Sequence, residues 1–124
     1  MKIMRFEDIE SWKEGRILVR RVYELSRKGK CSVDFGLRDQ LCRAVVSIPS
    51  NIAEGFESQS NAEFIRFLIY SGRSASEVKS LLYVALDNEY LSNSEFDEIY
   101  ERATLASKLI NGFINYLEKN RLRK

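Results

Sequence analysis

Four basic residues near the amino terminus have the type and spacing to do chemistry. On a helix they would fall within about 60° of one another, and they are Lys13, Arg16, Arg20 and Arg27. Lysine and arginine at this spacing can displace counterions from a nucleic-acid backbone, so the pattern predicts a phosphate-binding track. A solvated face with ion pairs, for example Glu24 with Lys28 at i,i+4, would explain the same four residues.

The distribution of charge supports a polarised surface. The net charge is only +2, but residues 1–30 carry nine Lys/Arg against five Asp/Glu, and residues 31–118 are net acidic. The tail 119–124 is basic again, with Lys119, Arg121, Arg123 and Lys124. Basic ends around an acidic middle favour an anionic partner, and we expect the tail to extend the track. Tyr23, at the edge of the track, could stack on a base or be a partly buried tyrosine.

Catalytic chemistry has few candidate residues in this chain, because it contains no histidine. Serine and cysteine nucleophiles usually need a histidine base, and di-iron bundles need Glu-x-x-His pairs. No glycine-rich phosphate loop and no zinc-ligand spacing is present. We therefore expect a protein that is not an enzyme, with no catalytic residue, no metal and no cofactor.

Length and composition indicate one globular domain over residues 1–124. Hydrophobic residues make up 44% and charged residues 31% of the 124 residues, which is typical of a folded protein with one core. No stretch approaches the roughly 18 apolar residues of a membrane span. Cys31 and Cys42, without a CxxC pair or a signal peptide, are expected to be reduced. These features predict a cytoplasmic protein.

Apolar residues recur every three to four positions in four segments, which predicts an all-α, up-and-down antiparallel four-helix bundle. The first helix should begin near residues 7–11 and end near Arg27, with Trp12, Gly15, Val19, Val22 and Ser26 on its core face and Leu18 and Leu25 beside it. The second should span about Phe35 to Phe56. Capping boxes, Ser60 with Glu63 and Ser92 with Glu95, should begin the third helix, which ends near Asp87, and the fourth, which runs into the tail.

Pro49 lies inside the second predicted helix. Because the apolar spacing continues past it, we expect a kink at Pro49 and not a break. Arg43 and Glu54 are charges on a mostly apolar helix, so they must reach the surface or find a partner. Their predicted role is structural, in a salt bridge or helix-end hydrogen bond near the proline, with Asn51 satisfying a freed carbonyl.

A second stripe accompanies the core face of the third helix, at roughly 80–140° from it. Its members are Ile65, Ile69, Gly72, Ser76 and Tyr83. The stripe is either one edge of a wide core face or a subunit interface, where Gly72 and Ser76 would let another helix approach closely. The number of aromatic residues for so small a core favours a homo-oligomer.

Several blocks of the sequence resemble a known bacterial family. They are Phe6–Lys13, Gly36–Ala44, Ser47–Gly55, Glu63–Leu68 and the Tyr90–Ser92 turn, and the Ser47–Gly55 block is the most specific. The family is encoded in intervening sequences of large-subunit ribosomal RNA genes and is often labelled a ribosomal protein. The accessory protein of diversity-generating retroelements is a relative.

This resemblance implies a four-helix bundle that assembles into a homopentamer and carries no assigned catalytic activity. It also implies that the Pro49 segment belongs to the second helix. The mixture of apolar and small residues in the Ser47–Gly55 block, which includes Pro49 and Gly55, is typical of a packing motif. From the retroelement relative it implies a basic outer surface that engages nucleic acid and a reverse transcriptase or another protein. The modest net charge of this chain departs from that strongly basic character.

Two functional hypotheses follow. In the first, the protein is a non-enzymatic oligomer that associates with structured RNA or other nucleic acid through its basic stripes. In the second, it is a structural or adaptor homo-oligomer that binds a protein partner and no nucleic acid. The first requires cations that are free to contact phosphate, and the second requires an exposed apolar face.

Overall fold

The computed structural model describes residues 3–122, and side chains for residues 3–120. Within that range the chain forms no strand and four long helices: α1 (Glu10–Ser26), α2 (Phe35–Phe56), α3 (Asn61–Asp87) and α4 (Asn93–Leu122). Short 3₁₀ turns at Phe6–Asp8 and Gly29–Val33 precede α1 and α2. The all-α prediction is confirmed. None of the helices in this range is long and apolar enough to cross a membrane.

The helices form an up-and-down bundle in which α1 and α3 each pack against α2 and α4. Cross-helix contacts show the antiparallel arrangement: Lys28 near the end of α1 pairs with Glu95 near the start of α4. In the same way, Gly55 at the end of α2 lies against Phe64 near the start of α3. Short loops join each antiparallel pair, as expected for this topology.

The core face of α1 is rotated from its predicted position. The buried residues are Ser11, Gly15, Leu18, Val22, Leu25 and Ser26. Leu18 and Val22 are fully buried, whereas Trp12 and Val19 are only half-buried and pack against the edge of the core. The apolar spacing therefore located the helix correctly. Leu18 and Leu25, predicted beside the core face, are part of it.

Side-chain caps fix the starts of the last three helices. The Asp34 carboxylate accepts from the Leu37 N–H at the start of α2, at 3.2 Å. The α4 capping box is complete: the Ser92 N–H donates to Glu95 at 2.8 Å, and the Glu95 N–H donates to the Ser92 hydroxyl at 3.1 Å. Only half of the α3 box forms.

In the α3 box, the Ser60 hydroxyl accepts from the Glu63 N–H at 3.2 Å. The Glu63 carboxylate accepts instead from the Arg66 guanidinium at 2.7 Å, so the predicted return contact to Ser60 is wrong. A cation one turn further along the helix competes successfully for this carboxylate.

Small residues around Pro49 let three helices approach closely. A Cβ at Gly15 would lie 3.2 Å from Ile48 Cγ2 and 3.3 Å from Pro49 Cδ. The Ser71 hydroxyl of α3 donates to the Ile48 carbonyl at 2.8 Å, and Ser74 and Ser47 hydroxyls meet at 2.9 Å. α2 runs without a break across Pro49; a bend there stays a prediction. The Ser47–Gly55 block thus packs α2 between α1 and α3.

An ion-pair seam joins α1 to α4. The Arg21 guanidinium donates to Glu98 at 3.0 Å, and Glu98 also accepts from Arg102 at 2.9 Å. Lys28 pairs with Glu95 at 3.3 Å, and Glu24 pairs with Arg21. The predicted Glu24–Lys28 pair is therefore wrong, because both residues find partners elsewhere.

The seam makes stability depend on pH. Hydrogen bonds from Arg21, and then Arg102, lower the pKa of Glu98 in the folded protein. The contribution of Glu98 is therefore present above the unfolded pKa of about 4.3 and is lost as pH falls through the lower folded value. We expect the free energy of unfolding, measured in urea from pH 7 to pH 3, to fall less steeply in Glu98→Gln than in the parent. Parallel curves would contradict this.

Candidate nucleic-acid interface

The four predicted track residues all lie exposed on the outward face of α1. Lys13 pairs with Glu10 at 3.2 Å. Among the side chains described for residues 3–120, no carboxylate lies within ion-pair distance of Arg16, Arg20 or Arg27. The alternative of a face neutralised by ion pairs therefore applies to Lys13 and not to the three arginines.

Two of these arginines lie over aromatic rings. The Arg16 guanidinium lies over the Trp12 ring, and the Arg27 guanidinium lies over the Tyr23 ring, each 5.9 Å from the ring centroid. Phe6 packs on Trp12 at 5.2 Å, which fixes the indole in turn. A cation over an aromatic face is attracted by the ring quadrupole, so both guanidinium groups are partly oriented before any ligand binds.

A groove runs between α1 and α2 beside this face. Its lining is largely apolar, from Val19, Tyr23 and Val46, and Val46 is 38% exposed. Arg20 and Arg27 flank the groove on α1. On the α2 side it continues past Tyr23 and Val46 to Arg43, for which the described side chains provide no ion pair.

The two carboxylates in this groove already have cationic partners. Glu24 is bound by Arg21, and Asp39 lies 3.6 Å from Arg38. The groove therefore presents on both walls arginines that have no ion pair among the described side chains. The sequence assigned Arg43 a structural role and did not place it beside the α1 arginines, because its position depends on how α2 packs against α1.

The basic tail is only partly described. Lys119 is exposed in the last turns of α4, at the end of the bundle where α1 begins, since Tyr116 and Lys13 line one pocket. Arg121 and Arg123 lie outside the side chains that the structure describes. Extension of the track by this tail stays a prediction.

The predicted structural residues divide into two groups. Pro49 and Gly55 make close interhelical contacts, whereas Arg43 and Glu54 are exposed. Neither forms an ion pair or side-chain hydrogen bond within the described range, so both charges reach the surface, which is one of the two expected outcomes, and the predicted salt bridge or helix-end hydrogen bond is not found there. Asn51 Nδ2 donates to the Ser47 carbonyl and hydroxyl oxygens, both at 2.8 Å. The carbonyl that Pro49 frees is that of Val45, so Asn51 does not fill the predicted role either.

The second stripe of α3 lies along the α4 side of the helix. Ile65 is buried in the core at 6% exposure, and Tyr83 packs on the Phe96 ring at 4.9 Å. Ile69, Gly72 and Ser76 line an open groove with Asn111 and Ile114 of α4. A wide core face thus accounts for Ile65, and Ile69 remains 41% exposed.

Cysteine and carboxylate chemistry offers no second site in the described range. Cys31 and Cys42 are unbonded, and burial raises the pKa of the Cys31 thiol, which keeps it protonated and unreactive. No group of three or more cysteine, aspartate and glutamate side chains is placed to hold a metal ion there.

A family model described as 23S rRNA-intervening sequence protein matches residues 7–112. The chain belongs to this family. The match covers α1, α2 and α3, the interface described above, and most of α4. The resemblance to this family, seen in five blocks of the sequence, is confirmed.

A solved structure from Bacteroides thetaiotaomicron is similar to this family member. It is described as a protein with unknown function from the S23 ribosomal protein family, and it has a TM-score of 0.79 and 24% sequence identity over 85% of this chain and 95% of that chain. At that identity the likeness establishes the fold alone. No protein of curated function matches the chain.

Proposed function

We propose that this protein is a non-enzymatic, cytoplasmic, nucleic-acid-binding oligomer that contacts the backbone of structured RNA through α1. The observation that carries the proposal is the contrast between two sides of that helix. On the α4 side, Arg21 and Lys28 are paired with carboxylates. On the outward side, Arg16, Arg20 and Arg27 have none among the described side chains.

Unpaired arginines in a row suit a phosphate backbone. Arg16 and Arg27 are separated by about 16 Å along the helix axis at 1.5 Å per residue, with Arg20 between them. Guanidinium groups bind phosphate bidentately and remain charged at any physiological pH. Such contacts fix position on the ligand without reading sequence, which fits the absence of a known base-reading motif in the chain.

Fluorescence anisotropy with a labelled structured RNA, titrated across a salt series, tests the proposal. Three to four phosphate contacts predict a log–log slope of about −2 to −4, at 0.7–0.9 per contact. Absence of binding at low salt would contradict the proposal and leave the α1 arginines as a solvated face.

The α3–α4 groove supports self-association, the second element of the proposal. Ile69 is as exposed as Leu105, at 41% and 42%, but lies beside small residues that would admit another helix. The family resemblance implies a homopentamer. If this assembly acts without RNA, the protein is the structural or adaptor homo-oligomer that forms the alternative hypothesis, with a reverse transcriptase or other protein as its partner.

Ile69→Asp should disperse the oligomer, because a buried unpaired carboxylate is costly at an interface. Light scattering coupled to gel filtration measures the mass. Leu105→Asp, a change of equal charge and exposure at an α4 position that does not line the α3–α4 groove, should elute as the parent does. An Ile69→Asp protein of parental mass would refute this interface.

A further inference from the structure

Two arginine–aromatic pairs stand on the same exposed face of α1. Trp12 precedes Arg16 and Tyr23 precedes Arg27 by the same four residues, and both rings lie 5.9 Å from their guanidinium carbon. The two pairs are separated by about 16 Å, at 1.5 Å per residue. They therefore form two similar cationic platforms, one at each end of the unpaired arginine row.

Other arginine–aromatic pairs in residues 3–120 have their guanidinium groups engaged. Arg66 lies over Tyr70 at 5.9 Å, but Glu63 accepts two hydrogen bonds from it. Arg38 lies over Phe35 and donates to the Ser32 carbonyl at 2.8 Å. In contrast, Arg16 and Arg27 are exposed and donate no hydrogen bond to any group in residues 3–120.

The groove beside the Arg27–Tyr23 platform offers more than contacts to phosphate. Tyr23 and Val46 give it an apolar floor, and Arg20, Arg27 and Arg43 give it cationic walls. A duplex backbone needs only the cations. An apolar floor between cations suits a base that has left its stack, because unpaired bases stack on aromatic rings and on arginine planes while the backbone follows the charges.

We infer that this face binds unpaired nucleotides of RNA. Bases stack on the guanidinium planes of Arg16 and Arg27, which Trp12 and Tyr23 support from behind, and Arg20 and Arg43 contact the flanking phosphates. The inference rests on the proposed function and narrows its ligand from structured RNA in general to loops, bulges and single-stranded segments.

Anisotropy with a fluorescein-labelled single-stranded oligouridylate and with an RNA duplex of the same length tests the inference. The parent should bind the single strand more tightly. Tyr23→Leu should weaken single-strand binding by about 5-fold to 150-fold, the range for removal of one aromatic ring from a stack, and leave duplex binding, which needs only the cations, unchanged. Tyr23→Phe should retain both affinities, since the ring is kept.

Tyr70→Leu is the matched control. It removes from α3 a tyrosine that is also four residues from an arginine and 5.9 Å from its guanidinium carbon. It should bind as the parent does. Thermal melting of each variant shows whether substitution of the half-buried Tyr23 has altered folding. Trp12, the single tryptophan, gives a readout in the unmodified protein: the single strand should change its fluorescence emission, and the duplex should not.

The outcomes are distinguishable. Equal affinity for duplex and single strand, with no effect of Tyr23→Leu and no change in Trp12 emission, would overturn the inference while backbone binding stands. Absence of binding to either RNA would overturn the proposed function and this inference together.

Discussion

Reversal of Arg16, Arg20 and Arg27 to glutamate is expected to abolish RNA binding while the bundle stays folded. Each arginine is exposed and without a carboxylate partner in the described range, so each is free to neutralise a phosphate. Three lost contacts should reduce affinity at low salt by at least about 100-fold and the log–log salt slope by about 2 to 3. Anisotropy across a salt series measures both quantities, and circular dichroism checks the helices.

A control variant with the same change in net charge shows whether binding depends on contacts at α1 or only on net charge. Arg5, Arg66 and Lys108 are exposed cations outside α1 and outside the α3–α4 groove, and their reversal to glutamate should lower affinity only slightly, through the long-range field. An equal loss of binding in both triple variants would show that no particular face is used. Parental binding by the α1 variant would exclude α1 as the interface.

Gly55→Ala is expected to destabilise the bundle although alanine is the better helix former. A Cβ at this position would lie 2.7 Å from Phe64 Cδ1 and 2.9 Å from Phe67 Cβ, which are closer than real contacts. The Phe64 carbonyl oxygen would also lie 3.2 Å away, and because this oxygen and Phe67 Cβ are fixed by the backbone of α3, rotation of the Phe64 ring alone cannot relieve the overlap. Overpacking of this kind costs about 1–3 kcal/mol in the free energy of unfolding, measured by urea denaturation.

Gly112→Ala should change the free energy of unfolding in the opposite direction in the same assay. Nothing lies within 4 Å of a Cβ at Gly112, on the exposed side of α4. Alanine should therefore stabilise the protein by about 0.5–1 kcal/mol, through the lower entropy of the unfolded chain. A Gly55→Ala protein as stable as Gly112→Ala would mean that α2 and α3 can separate at this point without cost.

Local sequence signals predicted the helices well because the residues that end a helix act within one turn. The predicted limits of α2, Phe35 and Phe56, are those found. The Ser92–Glu95 box forms both of its hydrogen bonds. The Ser60–Glu63 box forms one, since Arg66 lies on the same helix one turn later and attracts the carboxylate.

Contacts between helices could not be predicted from spacing along one helix. Glu24 and Lys28 satisfy the i,i+4 rule, yet Lys28 reaches Glu95 across the seam. Arg43 joins the α1 arginines only because α2 packs with Val46 against Tyr23. The sequence therefore predicted the α1 part of the candidate interface, because helical periodicity alone places those arginines on one face. It missed Arg43 of α2, because the position of that side chain depends on how α2 is rotated against α1.

The close approach of α1 to Pro49 at Gly15 bears on how relatives of this protein could diverge. The absence of a side chain at Gly15 lets α1 and α2 approach closely, and the same two helices contribute Tyr23 and Val46 to the surface groove. A methyl group at position 15 would act as a spacer and open the groove without altering any residue exposed in it. Ligand size could thus be tuned from inside the protein, at a position that no ligand touches.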